Sequence, residues 1–252
     1  TTASRPTMNL LETIKLVKIY SGRTVVDEVS FVLHQEQIVG LLGRNGAGKT
    51  TTFRIIMGMV RPDRGAVLFH GDDITHLPMF KRARLGIGYL SQERSDFRRL
   101  TVWQNLQAVL ETLNLTRSQR NQRAGQLLDQ YGLMHVRNQL AETLSGGERR
   151  KLEIARSLVR EPKLILLDEP FSGVDPIAVE DLQREVKRLK VEFGKSVLIT
   201  DHNVPQTLKV CDRAIIINDG RKFAEGTPRE IINNPAVRSA YLGNTFRGDE
   251  FG

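Results

Sequence analysis

The sequence predicts an α/β fold built around a phosphate-binding loop, with a helical lobe inserted into it. Three observations carry that expectation. Gly43-Arg44-Asn45-Gly46-Ala47-Gly48-Lys49-Thr50 fits the GxxxxGK[ST] pattern, between an apolar run ending at Leu42 and a helix-like run from Thr51 to Met59. Leu164-Ile165-Leu166-Leu167 is a continuous apolar run closing on Asp168-Glu169, the pattern of a central parallel strand whose C-terminal end meets a ligand crevice. After Ser91-Gln92-Glu93 the composition turns charged, Gln-rich and amphipathic, which marks the insertion.

Length and composition set the outer limits. The 252 residues suit one large α/β domain or a core with an inserted lobe. The single cysteine, Cys211, excludes an intramolecular disulfide and a cysteine-cluster metal site, and it fits a reducing, cytosolic compartment. No apolar run reaches the roughly 18 residues of a membrane span, and Thr1 to Thr7 lacks the apolar centre of a signal peptide. The chain is therefore not expected to cross a bilayer itself. A formal charge of +8 suits an anionic surface, either nucleic acid or the cytoplasmic face of a bilayer, or else solubility alone.

Taken in order, Leu10 to Leu16, Thr24 to Leu33 and Gln37 to Leu42 are β-type runs, broken at Ser21-Gly22 and Gln35-Glu36. Tyr20, just before the Ser-Gly break, is placed either to stack on a purine or to pack on the sheet. The following loop supplies a candidate nucleotide cradle of Arg44, Asn45, Gly46, Ala47, Gly48, Lys49, Thr50 and Thr51. Its glycines let the backbone wrap phosphate, and the helix start adds unpaired N–H groups and a favourable dipole. Lys49 supplies charge to the β/γ-phosphates, and Thr50 offers a hydroxyl to Mg²⁺. Gly65 to Phe69 reads as a strand, His70 to Asp73 as a turn, Pro78 to Arg84 as a short basic helix and Gly86 to Leu90 as another strand. In the lobe, Val102, Leu106, Val109, Leu110 and Leu113, then Ala124, Leu127, Leu128 and Tyr131, recur at helical spacing and read as its core. Phe97 and Trp103, beside Arg98-Arg99, form a rim that either packs the lobe or receives a partner.

Leu144-Ser145-Gly146-Gly147-Glu148 precedes a further helix. Ser145 is a natural N-cap with Glu148 at capping-box spacing, which leaves the two glycines unexplained. Ahead of a helix start they expose backbone donors, a second anion-binding surface. Asp168 can hold Mg²⁺ through water. Glu169, beside it, can polarise an attacking water, a general-base role worth about 10²–10⁴-fold in rate. Pro176 opens a helix at its first position. Ser196 to Thr200 is a buried strand ending on Asp201-His202, which puts His202 where strand ends converge, within reach of a γ-phosphate. His34, His70, His76 and His135 share no ligand-like spacing and are expected on the surface. Arg213 to Asn218 and Arg221 to Ala224 form a hairpin around Asp219-Gly220, and Thr227-Pro228 starts a helix.

Together, Gly43 to Thr50, Gln92, Leu144 to Glu148, Asp168-Glu169, Asp175 and His202, in this order and spacing, resemble the ATP-binding subunits of ABC transporters. The resemblance covers nearly the whole chain. It implies a RecA-like P-loop core with an antiparallel β subdomain and an inserted α-helical subdomain. The implied boundaries are residues 8–91 for the first core part with the β subdomain, 92–160 for the helical subdomain, 161–235 for the second core part and 236–252 for the tail. ATP and Mg²⁺ are the implied cofactors. The implied assembly is a head-to-tail homodimer, in which Ser145, Gly146, Gly147 and Glu148 of one copy close over ATP held by the phosphate loop of the other. By position, Tyr20 stacks on adenine, Asp175 connects the two sites, and Gln92 senses Mg²⁺ and links to the membrane partner. Thr50, Gln92 and Asp168 surround the metal, while Glu169 and His202, with Lys49, carry hydrolysis.

A narrower similarity is to the lipopolysaccharide-export ATPases of Gram-negative bacteria. It rests on GIGYL at 86–90, FRRL at 97–100, LSGGERRKLEI at 144–154, DEPFSGVDP at 168–176, LITDHNV at 198–204, and YLG at 241–243 with FR at 246–247. Branched-chain amino-acid importer ATPases share the core motifs and fit FSGVDP and YLG less well. Ser91 and Arg44 stand where many relatives have proline, and neither position supplies a required side chain. Pro205 and the last residues also depart from the common pattern. A nucleic-acid or ribosome-acting ATPase, the alternative from another class, would need a long coiled-coil insertion or a second cassette. A regulator without turnover would lack Glu169 or His202. The expectation is thus a transport-coupled ATPase, peripheral at the cytoplasmic face of the inner membrane. Integral transporter subunits would dock near Gln92 to Leu100, without direct contact to nucleic acid.

Overall fold

The structure, a computed structural model, describes residues 9–91, 96–172 and 176–242. Strands β1 (Asn9–Tyr20) and β2 (Arg23–His34) form a long hairpin, followed by β3 (Ile38–Leu42) and, after the glycine-rich loop, α1 (Lys49–Met57). Next come β4 (Arg64–Phe69), β5 (Asp72–Asp73), α2 (Met79–Leu85) and β6 (Ile87–Leu90). Helices α3 (Val102–Leu110), α4 (Arg117–Gln130) and α5 (Gly146–Leu158) build the lobe. The chain then alternates through β7 (Leu164–Asp168), α6 (Pro176–Val191), β8 (Ser196–Asp201), α7 (Val204–Leu208), β9 (Arg213–Asn218) and β10 (Arg221–Gly226). It closes with α8 (Pro228–Asn233), α9 (Pro235–Val237) and a π-helical turn, Arg238–Leu242.

Two sheets form. An antiparallel one runs β2-β1-β4-β5, and the other runs β10-β9-β3-β8-β7-β6. In the second, β9, β3, β8, β7 and β6 pair in parallel and β10 closes the edge antiparallel. The apolar runs of β3 and β7 are buried along their length because both faces are covered, as parallel strands require. Their register sets Leu42 opposite Asp201 and Asp168 opposite Thr200, so the loop after β3 and the carboxylates of β7 and β8 emerge at one edge. The lobe buries its helical stripes, Val102, Leu106 and Leu110 against Ala124, Leu127 and Leu128, in one cluster with Ile165, Leu167 and Ile199 of the sheet. Among the described residues, no helix is long and apolar enough to cross a membrane.

Several local expectations are corrected. Asp72-Asp73 forms a two-residue strand on Leu68-Phe69 rather than a turn. The first strand continues beyond Leu16 to Tyr20, because the tight Ser21-Gly22 turn lets Lys18, Ile19 and Tyr20 pair with Val26, Thr24 and Arg23. The α1 helix begins at Lys49, since Gly48 in a left-handed conformation serves as its N-cap. Gly146 and Gly147 lie inside the first turn of α5 rather than ahead of it. His34 and His70 are half-buried, His70 with its ring edge-on to Phe69 at 4.7 Å, whereas His76 and His135 are exposed.

Arg82, on the helix expected to be a basic surface element, is only 1% exposed. Its Nε donates to Leu77 O at 2.8 Å, Nη1 to Ile55 O at 2.8 Å and Ile56 O at 2.6 Å, and Nη2 to Thr75 O at 2.9 Å. Ile55 and Ile56 lie in the last turn of α1, where helix carbonyls run short of intrahelical partners, although Ile55 O also accepts the N–H of the cap residue Gly58 at 3.0 Å. Burial pushes the guanidinium down to about 10.

Candidate active site

The loop from Gly43 to Gly48 turns sharply. A Cβ on Gly43 would sit 2.2 Å from Ile217 O, and one on Gly48, at φ +100°, would sit 2.5 Å from Val25 O. Glycine is therefore required at both places by neighbouring backbone. The Val25 contact also draws the β1–β2 hairpin alongside the loop. Tyr20, 44% exposed, ends that hairpin's first strand, and the Lys18 ammonium lies 5.3 Å from its ring centre.

Lys49 is buried and reaches across the loop mouth to Arg44 O at 3.0 Å, while the Ala47 N–H donates to the same carbonyl at 3.1 Å. Burial lowers the Lys49 ammonium from its ordinary range, and the nearby Glu169, Asp201 and Asp168 carboxylates oppose that shift. Thr50 and Thr51 follow, half-buried in the first turn of α1, whose N-cap has no side chain to occupy the free N–H groups. Asn45 and Gly46 are exposed at the loop tip. Arg44 joins the cradle only through its backbone, because its side chain leaves for the C-terminal turn.

The carboxylates come from the ends of β7 and β8. Thr200 Oγ1 donates to Asp168 Oδ1 at 2.7 Å. Glu169 adopts a left-handed backbone, φ +44°, uncommon for a side chain of its kind. That conformation is held by its N–H donating to Thr200 O at 2.8 Å and by its carbonyl accepting from Ser172 N at 3.2 Å. Its Oε2 lies 3.4 Å from His202 Nδ1, which is also 3.6 Å from Asp201 Oδ1. Asp201 is fully buried and accepts from the Asn203 and Phe171 N–H groups at 2.8 and 3.3 Å. Burial nevertheless pushes its carboxyl above the ordinary range. The structure thus brings Lys49, Thr50, Asp168, Glu169 and His202 to one sheet edge. Sequence reasoning missed Thr200 and Asp201 as members of that edge. The available signal was two polar residues following the apolar run Val197-Leu198-Ile199 at the end of a wholly buried strand.

The residues present suit a hard divalent cation. Thr50 and Asp168 offer oxygen donors, and three carboxylates face Lys49 as their nearby cation, an excess of negative charge that a triphosphate alone would worsen. Gln92 and Asp175 lie outside the described residues.

The Ser145–Glu148 stretch is a complete capping box. Ser145 Oγ accepts from Glu148 N at 3.3 Å, and Glu148 Oε2 accepts from Ser145 N at 3.0 Å and Oγ at 2.6 Å. These bonds hold the Glu148 carboxyl below its ordinary value. Glu148 Oε1 also faces His135 Nε2 at 3.3 Å. A Cβ at Gly146 or Gly147 would meet nothing within 4 Å, and neither glycine has positive φ. Nothing within the described chain demands glycine there. On the rim, Phe97 is 46% exposed with the Arg156 guanidinium 4.6 Å from its ring centre. Its N–H donates to Oδ1 of the buried Asn105 at 2.9 Å, and its carbonyl accepts from Asn105 Nδ2 at 3.0 Å. Asn105 also went unpredicted, although an amide on the buried stripe of α3 is the kind of exception that signals a role.

Comparisons with known proteins agree with this geometry. The family described as ABC transporter matches residues 26–172, and the family described as branched-chain amino acid ATP-binding cassette transporter matches residues 221–247. The chain is 51% identical, over 95% of its length and all of theirs, to the lipopolysaccharide export system ATP-binding proteins LptB of Haemophilus influenzae and of Escherichia coli strain K12. Among solved structures, the ADP conformation of MJ1267, an ATP-binding cassette of an ABC transporter, superposes with a TM-score of 0.83 at 27% identity, covering 94% of this chain and all of that one. With a family match over more than half the chain, half-identical relatives along nearly all of it, and a phosphate loop facing paired carboxylates, this protein belongs to the ABC transporter family as one of its ATP-hydrolysing cassettes.

Proposed function

We propose that this chain powers the export of lipopolysaccharide from the inner membrane, as a head-to-tail homodimer peripheral to the cytoplasmic face and docked on integral subunits. The observation that carries the reading is the 51% identity along 95% of the chain to ATP-binding proteins of lipopolysaccharide export systems. Integral subunits would dock at the rim near Gln92 to Leu100, and the exposed Phe97 ring beside Arg156 suits that contact. Membrane contact runs through those partners, and nucleic acid plays no part.

ATP would lie with its adenine on Tyr20 and its phosphates in the backbone cradle of residues 44 to 51. Lys49 would exchange the Arg44 carbonyl for a charge-assisted bond to the β/γ-phosphates. Mg²⁺, held by Thr50, Asp168 and Gln92, supplies neutralisation of the phosphate oxygens when bound. Glu169 takes the proton from the attacking water. His202, 3.4 Å from that carboxylate, orients it and contacts the γ-phosphate. Asp201 sits behind the histidine and Asp175 connects the two sites.

The open space above Gly146 and Gly147 supports the paired arrangement. If nothing in the chain itself needs those positions bare, a phosphate brought by the other copy does.

Glu169→Gln tests the assignment. Turnover should fall by about 10²–10⁴-fold with Mg-ATP affinity retained, as loss of a general base predicts, and near wild-type turnover would remove Glu169 from its role. A second reading, the ATPase of a branched-chain amino-acid importer, is favoured by the match at residues 221–247. Mass spectrometry of the integral proteins that co-purify in detergent separates the two, and recovery of importer subunits would overturn lipopolysaccharide export.

A further inference from the structure

Arg44, the loop residue that departs from the common pattern, sends its side chain away from the cradle. Its Nη2 donates to Ala240 O at 2.6 Å, and its guanidinium lies 5.7 Å from the centre of the Tyr241 ring. Tyr241 is itself anchored. Its hydroxyl is bonded to Asn218 Oδ1 at 2.8 Å with Ile217 O at 3.3 Å, and Phe223 flanks its ring at 6.3 Å. Ile217 O is the same carbonyl against which Gly43 packs so closely that no Cβ fits. The first two loop residues are therefore bracketed, Gly43 by the end of β9 and Arg44 by a C-terminal turn that rests on that same strand end. The backbone carbonyl of Arg44 meanwhile accepts from Lys49 Nζ and Ala47 N. One residue thus joins the tail on one side to the phosphate-facing lysine on the other.

We propose that Arg44 and Tyr241 act as positioning residues, a strut through which the C-terminal turn sets the pose of the phosphate loop for ATP. The inference rests on reading that loop as the ATP cradle. A glycine-rich loop loses conformational freedom when it closes on a triphosphate, and a brace formed beforehand moves that cost from binding to folding. Arginine suits the brace because its planar fork places one nitrogen on a carbonyl while its face lies on a ring, a combination that lysine's single ammonium does not reproduce. Neither side chain approaches the carboxylates of β7 and β8 through any hydrogen bond given above, so the effect belongs to ATP affinity and not to the chemical step.

The test uses the full chain carrying Arg44→Ala, Tyr241→Ala, both together, or Arg44→Lys. The readouts are the Mg-ATP dissociation constant, KM and kcat, with melting curves to establish that each variant folds. Each alanine change should raise Kd and KM by about three- to tenfold with kcat within roughly twofold, and the double variant should be no worse than the weaker-binding single, as coupled residues behave. Arg44→Lys should resemble Arg44→Ala. Unchanged Kd in the folded singles, a double effect equal to the product of the two, a loss confined to kcat, or full recovery by lysine would each overturn the strut. Failure of the wild-type chain to bind Mg-ATP is a separate outcome, and it would overturn the cradle reading itself.

Discussion

Arg82 carries a charge into the interior and spends it on four carbonyl groups in two segments. Two of these end α1, whose other end is the phosphate loop, and the other two, Thr75 and Leu77, precede α2. Methionine fills a similar volume without a donor, so Arg82→Met deprives Ile56 O, Thr75 O and Leu77 O of this partner while Ile55 O keeps the Gly58 N–H, and should cost on the order of 3 kcal/mol. For a chain of this size that corresponds to a fall in Tm of roughly 6–12 °C, readable by calorimetry. An unchanged Tm would mean the carbonyls find other partners. Nothing local distinguishes Arg82 from its exposed neighbours Lys81 and Arg84, and a charge run on a short helix ordinarily reads as solvated. Burial of that guanidinium is decided by the packing of α2 on α1, which no window of sequence contains. Lys49, Asp168, Glu169 and His202 were legible for the opposite reason. Each sits at a junction, a glycine loop or the end of an apolar strand, that local pattern alone identifies.

The start of α5 is a case where an element's own stability and its proposed use pull apart. Gly146 and Gly147 occupy the first turn with free space around them, so alanine at either position meets no atom and gains helix propensity. Gly146→Ala and Gly147→Ala should each leave Tm unchanged or raise stability by up to about 1 kcal/mol, yet weaken ATP-dependent association and turnover. Activity equal to wild type in both would mean that no phosphate approaches this turn. The cap itself responds to acid. Ser145 holds the Glu148 carboxyl below its unfolded value of 4.5, so the folded chain binds that proton less tightly than the unfolded one. The resulting stability is present above the unfolded value and is lost as pH falls through the folded one. Replacing Glu148 with Gln should therefore flatten the part of the Tm–pH curve that falls below the unfolded value of 4.5, with little effect at acidity where the wild-type carboxyl is protonated in both states. A curve of unchanged slope would show that the box contributes nothing. Sequence made the capping box readable, because Ser and Glu at that spacing are a local signature. It placed the two glycines just ahead of the helix, whereas the box closes with Ser145 as N-cap and makes them its first two residues.

At the scale of the molecule, the sheet order β10-β9-β3-β8-β7-β6 gathers residues far apart in the chain onto one edge. The α/β class and the inserted helices were legible from apolar runs and helical periodicity. The separation into two sheets was not, because strand partners are chosen by packing and not by neighbours in sequence; that expectation came from resemblance. The paired arrangement is open to test at this scale too. In sedimentation, the Glu169→Gln protein should form a dimer with Mg-ATP and remain a monomer without nucleotide, and a monomer in both conditions would remove the shared pocket. The position of β3 has one more consequence. It is flanked by β8 and β9, both from the last quarter of the chain. A nascent chain that has left the ribosome only as far as the helical lobe lacks both hydrogen-bonded neighbours of β3, so the strand that leads into the fuel-binding loop has no sheet to join. The sheet beneath the pocket can close around β3 only once β8 and β9 are available, so the site depends on segments that follow the loop by about 150 residues or more.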